Sequence, residues 1–265
     1  MDKVREHNRN SWDRLVDQAN EWTVPVRADA IAAARRGDFQ LLLTPSKPVP
    51  ETWYPPLHDL PTLCLATGGG QQAPILAAAG AKVTTIDNSP KQLAQDQLVA
   101  RREGLQIETV HGDMADLSMF ADGQFALIFH ACSNCFSQTV LPVWREAFRV
   151  LRQGGVLLAG FANPVRYAIK DADHDRGHLL ISRKLPWSDL TDLTDQQLQT
   201  QRYDVDESLE FGHTLEDQIG GQLAAGFHMT AMFEDGWHGR DNEIDPLSKL
   251  MDSFIATRSI RPPTP

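Results

Sequence analysis

The sequence predicts an α/β fold, a doubly wound and mostly parallel sheet with helices on both faces. Three observations carry that expectation. Short apolar runs alternate five times with helical stretches between residues 61 and 161. A glycine triplet, Gly68 to Gly70, sits between the first strand and the first helix of that alternation, where residues without a Cβ let the backbone turn sharply and approach a ligand. An acid, Asp87, ends the second strand on the edge that the glycines occupy. Alternation of strand and helix needs crossover connections, which are right-handed and place helices on both sides of a parallel sheet.

Taken in order, residues 2–19 carry Val4, Trp12, Leu15, Val16 and Ala19 among charged neighbours and read as a loosely amphipathic helix, with a second at 28–36. Residues 39–60 hold five prolines with Trp53 and Tyr54 between them, an irregular connector. Leu63, Leu65 and Ala66 form the first strand after Pro61. Residues 73–79 are good helix formers, with Pro74 tolerated in a first turn and Gly80 at the C-terminal cap. Val83, Thr84, Thr85 and Ile86 are β-branched and make the second strand. Ser89 as N-cap, Pro90 at N1 and Gln92 at N3 start the next helix, which Gly104 closes. Strands follow at 105–110 and 125–130, then a helix at 142–151 and a fifth strand at 154–161. From 163 to about 212 the alternation breaks into a polar, aspartate-rich stretch with apolar islands at 179–181 and 185–187. Thr214, with Asp217 at N3, caps a helix that ends at Gly226, and 227–233 and 254–260 supply two last strands, which nothing long and helical separates, so they are expected to pair antiparallel. The organisation expected is a helical cap and connector at 1–60 and one α/β domain at 61–265, with an insertion at about 163–213.

Net charge is −10, with 35 acids against 25 bases. A surface of that sign repels phosphate backbones, so a small molecule is expected as substrate and nucleic acid is not. No apolar run approaches the roughly 20 residues of a membrane span, and the first residues lack the apolar core of a secretion signal, so no membrane and a cytoplasmic location are expected. Three cysteines, an odd number, fit a reducing compartment. Cys132 and Cys135 form a C-x-x-C beside His130, but zinc wants about four ligands and Cys64 lies inside a strand, so no metal is expected. His178 and His213 are candidates for a base.

The amides at the start of the helix after the glycines favour a polar or anionic group there, and a carboxylate at Asp87 can accept both hydroxyls of a ribose. Asp113 follows the third strand on the same edge, where ligands of open α/β sheets collect. Gly68 to Ala73 also fits G-x-G-x-x-A, so the turn by itself leaves nicotinamide, flavin and S-adenosylmethionine (SAM) open.

With these pieces in order, the chain resembles the class I, seven-stranded SAM-dependent methyltransferases over about 61–161, with a weaker echo at 214–258. LATGGGQQ (65–72) is similar to that family's first motif, Asp87 to its ribose-binding acid, Asp113-Met114 to its adenine-edge motif, and EAFRVLRQGGVLLAG (146–160) to the helix and strand after its fourth strand. The chain departs from the pattern at Cys64 and Ala126, where members carry acids, and at Ala66, which replaces the first glycine. The resemblance implies a sheet ordered 3-2-1-4-5-7-6 with the seventh strand antiparallel, and SAM as cofactor. It implies contacts to SAM from Ala66, Thr67, Gly68, Gly70, Gln72, Asp87, Asn88, Leu93, Asp113, Met114 and His130. The implied function is transfer of a methyl group to a small molecule, mainly by proximity and orientation. HACSNCF, after the fourth strand, lacks the Asn/Asp-Pro-Pro-aromatic signature of members that methylate amino groups of adenine or glutamine. The alternatives are an NAD(P)-dependent oxidoreductase, although Tyr-x-x-x-Lys fails at all three tyrosines, and a non-catalytic module that holds SAM or a related nucleoside. Trp12, Trp53, Asn134 and Phe136 are the candidates for acceptor contact. They would lie under a lid made of the N-terminal helices, the connector and the insertion, over a floor at 130–136.

Overall fold

In the computed structural model, which describes residues 3–169, 179–238 and 244–263, the apolar runs become β1 (Pro61–Leu65), β2 (Lys82–Asp87), β3 (Ile107–His111), β4 (Phe125–His130) and β5 (Leu151–Ala162). These five are parallel to one another. A short antiparallel ribbon in the insertion, β6 (Trp187–Ser188) with β7 (Phe211–Gly212), has no counterpart in the sequence reading. The chain then returns as β8 (His228–Asp235) and β9 (Phe254–Ile260), and β9 lies antiparallel between β5 and β8. The sheet runs β3-β2-β1-β4-β5-β9-β8, the expected order with β9 as the reversed seventh strand. β4 is buried along its whole length, which is why its sequence shows an unbroken apolar run rather than an alternation.

The helices that position the site are α1 (Lys3–Asp17), α2 (Ala28–Ala34), α3 (Gln72–Ala78), α4 (Pro90–Glu103), α5 (Leu141–Val150) and α6 (Gly221–Ala225). The Ser89 hydroxyl accepts the Gln92 N–H at 3.1 Å and Gly104 closes α4 at φ 66°, as expected, but the Gln92 side chain does not reciprocate, so half of the capping box forms. Thr214 accepts the Asp217 N–H at 3.0 Å, and the chain enters α6 through a π-helical turn.

One face of the sheet is sealed by Ile31 of α2, Leu43 and Trp53 of the connector and Leu76 of α3, the other by Val143 and Trp144 of α5 with Phe227. Each such side chain contributes about 1.5–3 kcal/mol by leaving water. Trp53 therefore belongs to the core and not to an acceptor site: it is 7% exposed, its ring lies 5.2 Å from that of Phe233, and its carbonyl accepts the Arg258 guanidinium. Of the apolar islands in the insertion, Trp187 is buried while Leu180 and Ile181 stand in solvent. No helix among the described residues is long and apolar enough to cross a membrane.

Candidate active site

After β1 the chain turns through Ala66, in the left-handed region at φ 50°, and then through Gly69 and Gly70 at φ 109° and 74°. A Cβ on Gly68 would stand 2.6 Å from that of Gln92, so the triplet allows α4 to approach closely. The amides of the triplet itself are taken up within the protein. Gly68 donates to Asp87 Oδ2 at 3.0 Å, Gly69 to the Gln92 carbonyl at 3.0 Å and Gly70 to Asp96 Oδ1 at 2.9 Å. The turn is thereby locked onto β2 and α4. Asp96 is a residue the sequence reading missed. It lies on the face of α4 that also buries Leu93 and Val99, and an acid on an apolar helix face was its signal. Burial pushes its carboxyl well above the usual carboxylate range, the Asp87 charge adds to that, and the Gly70 N–H opposes it.

Asp87 is half-buried, and desolvation raises its pKa against the Ser89 and Gly68 amides that hold the charged form. Beside it the Asn88 amide donates to the Arg5 carbonyl at 2.8 Å. Asp113 accepts the Arg5 guanidinium at 3.0 Å and the Ala115 amide at 2.9 Å. Gln92 Oε1 is buried with no hydrogen-bond partner among the described residues. α1 lies across this edge, with Asp13 accepting the Ser89 hydroxyl at 2.5 Å. The same helix reaches the insertion: Asn8 exchanges hydrogen bonds with Leu209 N–H and C=O at 2.7 and 3.0 Å, and the Ser208 hydroxyl donates to that of Ser11 at 3.0 Å. The segment after α1 closes over the glycine turn, since the Gln71 amide donates to the Glu21 and Val24 carbonyls and Val26 N–H to the Gly70 carbonyl.

These elements enclose a cavity of about 980 Å³. Ala66, Thr67, Gly68, Gln72, Asp87, Asn88, Asp113 and Met114 line it, as do Trp12 and Phe136, whose rings meet edge to face at 5.2 Å. Other candidates lie behind the wall. Gly70 is buried under Pro25 and Gln95, and Leu93 is buried on α4. His130 is fully buried, with Nδ1 2.8 Å from the Leu65 carbonyl and Nε2 2.7 Å from the Asn134 side chain; desolvation lowers its pKa and leaves it a neutral brace between β4 and β1. Asn134 is 1% exposed and donates to Gln218. His213 is buried against the Asn134 carbonyl, and His178 lies outside the described residues.

The far end of the cavity is built by residues the sequence did not reveal. Tyr167 donates its hydroxyl to Glu210 Oε2 at 2.9 Å, and both line the cavity with Cys132 and Cys135. Desolvation raises the Glu210 pKa, pushes the Cys132 thiol up to about 12 and raises Cys135 and Tyr167 as well, so thiols and phenol stay protonated. The Arg166 guanidinium stacks on Phe254 at 4.9 Å and on Trp237 at 5.6 Å. Among the described residues no group of histidine, cysteine and acids is disposed to hold a metal ion, and the three cysteines are free thiols.

A family model described as a methyltransferase domain matches residues 63–159. Over 261 residues the chain is 44% identical to "Uncharacterized methyltransferase YbaJ" of Bacillus subtilis (strain 168), covering 98% of this chain and all of that protein. Among solved structures, a SAM-dependent methyltransferase from Mesorhizobium loti superposes with a TM-score of 0.59 at 16% identity, over 79% of this chain and 94% of that one. A putative SAM-dependent methyltransferase from Listeria monocytogenes gives 0.58 at 15%, over 88% and 100%. At such identities the superpositions speak for the fold, and the Bacillus subtilis relative for the family. The chain belongs to the class I SAM-dependent methyltransferases.

Proposed function

We propose that the protein transfers the methyl group of SAM to a small-molecule acceptor held inside the cavity, in the cytoplasm, with residues 1–60 as its cap and the insertion as its acceptor wall. The observation that carries this reading is the continuity of the cavity, which joins the Asp87 edge to the aromatic wall of Trp12 and Phe136 beneath α1. An acceptor that fits under α1 and the insertion is a small one, and the net charge of −10 disfavours nucleic acid.

The residues present fit SAM. The Asp87 carboxylate stands half-buried in the cavity wall with one amide donor on each oxygen, from Gly68 and Ser89, and the hydroxyls of a ribose can satisfy its remaining acceptor positions. In this reading Asp87 accepts the ribose hydroxyls and Asn88, Asp113 and Met114 border the adenine. Ala66 to Gly68 and Gln72 line the methionine end. SAM supplies a methyl group already activated by its sulfonium. The protein's part is then to hold the acceptor in line, keep water out and remove a proton where the acceptor carries one.

Calorimetry and thermal shift with SAM, its demethylated product and NAD test the reading. Either SAM form is expected to bind in the micromolar range and raise the melting temperature, because only the native state binds it. A response to NAD with none to the SAM forms would overturn it.

A further inference from the structure

The Glu210 end of the cavity holds two opposite charges, Glu210 and Arg166, that attract across space with no direct contact between them among the described residues. Tyr167 occupies Glu210 Oε2 alone, and no described residue donates to Oε1, which is not sealed from the cavity. Arg166 is placed by its two aromatic neighbours and makes no side-chain hydrogen bond or ion pair among the described residues. The geometry is built rather than incidental. Glu210 is fixed through its own backbone, whose N–H donates to Asp189 Oδ2 at 2.9 Å, and Asp189 is fully buried and held by Arg202 at 2.6 Å and by the Trp187 indole at 2.9 Å. Tyr167 reaches it because Gly212 has no side chain, since a Cβ there would stand 2.6 Å from the phenol ring.

Charged groups in a half-buried chamber that lack a direct hydrogen-bond partner gain from a ligand that supplies one. We infer that this end of the cavity takes a small acceptor that is itself an acid: Arg166 holds its anionic group, and Glu210 Oε1 receives the proton of its O–H or N–H nucleophile. This rests on the methyl-transfer reading. The proton balance is complete within it. As the nucleophile's bond to the methyl carbon forms, the carbon–sulfur bond breaks with its electron pair left on sulfur, the nucleophile's proton passes to Oε1, and the carboxylate becomes the neutral acid. Facing Glu210 are Tyr167, Arg166, Arg202, Asp189, Cys132 and Cys135. Of these the phenol and the thiols are neutral in the physiological range, and desolvation makes the Glu210 carboxylate a stronger base than an exposed one.

The test uses full-length protein saturated with the demethylated product of SAM, titrated by calorimetry with a panel of small aromatic and aliphatic hydroxy acids and amino acids, each beside its neutral amide. The expected result is that acids bind about tenfold or more tightly than their amides. Arg166→Gln should erase the preference and Arg166→Lys, which keeps the charge, should retain part of it. The acceptor found in this way is then used in single-turnover transfer. Glu210→Gln should slow it by about 10²-fold or more while acids still bind more tightly than their amides, and should abolish the rise of rate with pH whose midpoint lies above the ordinary 4.5. No acid preference in the panel, a preference untouched by Arg166→Gln, or a Glu210→Gln enzyme that keeps both its rate and its pH profile would each overturn the inference. If the SAM product itself fails to bind, it is the methyl-transfer reading that falls instead.

Discussion

At the edge of β2 and β3 the polar groups are engaged with one another. Asp87 takes the amides of Gly68 and Ser89, Asp113 is shared by Arg5 and Ala115, and Gly70 is held by Asp96. At the other end of the same cavity Glu210 keeps one oxygen open and Arg166 rests on ring faces. The first end is organised before anything binds, and a ligand there adds to groups already held in place. The second end is incomplete by itself. A ligand that supplies the missing partners gains there what one lacking them cannot, and that is how a polar site discriminates.

Four outcomes would break or sharpen this contrast. The largest concerns Asp87. Asp87→Ala removes the proposed ribose acceptor and also frees the Gly68 and Ser89 amides, so SAM affinity should fall by roughly 1–3 kcal/mol in a protein that still folds, measured by calorimetry. Unchanged affinity would mean that the pre-organised end is not the nucleoside site. Next comes Asp96→Asn. The folded-state pKa of Asp96 is raised, so its stabilising contribution is present in acid and is lost as pH climbs through that folded value. Asparagine keeps an acceptor for the Gly70 N–H without the buried charge. The variant should be more stable at neutral pH, on the order of 1–2 kcal/mol, with the gain vanishing near pH 3 in denaturant titrations. A gain that is the same at every pH would show that the Asp96 pKa does not differ between the folded and the unfolded protein.

Ala66→Gly should stabilise by about 1 kcal/mol, since alanine at φ 50° carries a Cβ penalty that glycine lacks. A loss of stability would mean that the alanine methyl packs better than its backbone suffers. The smallest effect is expected from Arg5→Ala. The pair with Asp113 is about one-third exposed on both sides, so stability should change by less than about 1 kcal/mol. A larger loss would show that α1 depends on this contact more than on Asn8 and Ser11.

What could be read in the sequence follows the same division. β1 to β5 and the turn declare themselves through apolar runs, glycines and caps at fixed spacing. The boundaries shift where tertiary pairing decides: β5 starts at Leu151 rather than Gly154 because Leu151 pairs with Phe125 across an irregularity in register. Thr67, Gly68, Asp87, Asn88, Asp113 and Met114, named from strand ends, the turn and the family resemblance, all line the cavity. Glu210, Tyr167 and Arg166 were not legible. Tyr167 and Glu210 are 43 residues apart and meet only because the β6–β7 ribbon folds back beside the residues that follow β5, an arrangement without a periodic signature. Trp53 was misplaced because an aromatic among prolines looks alike whether it faces a ligand or Phe233.

α1 touches both ends of the cavity, through Arg5 and Asp13 on one side and Asn8 and Ser11 on the other. One helix is therefore a shared wall, and the free energy that seats it would be common to the two ligands proposed. In the proposed reading, any effect that a ligand at the Asp87 edge has through this helix on affinity at the Glu210 end is returned by the same factor, because thermodynamic linkage runs in both directions. A binding constant for either proposed ligand is then to be measured with the occupancy of the other end stated.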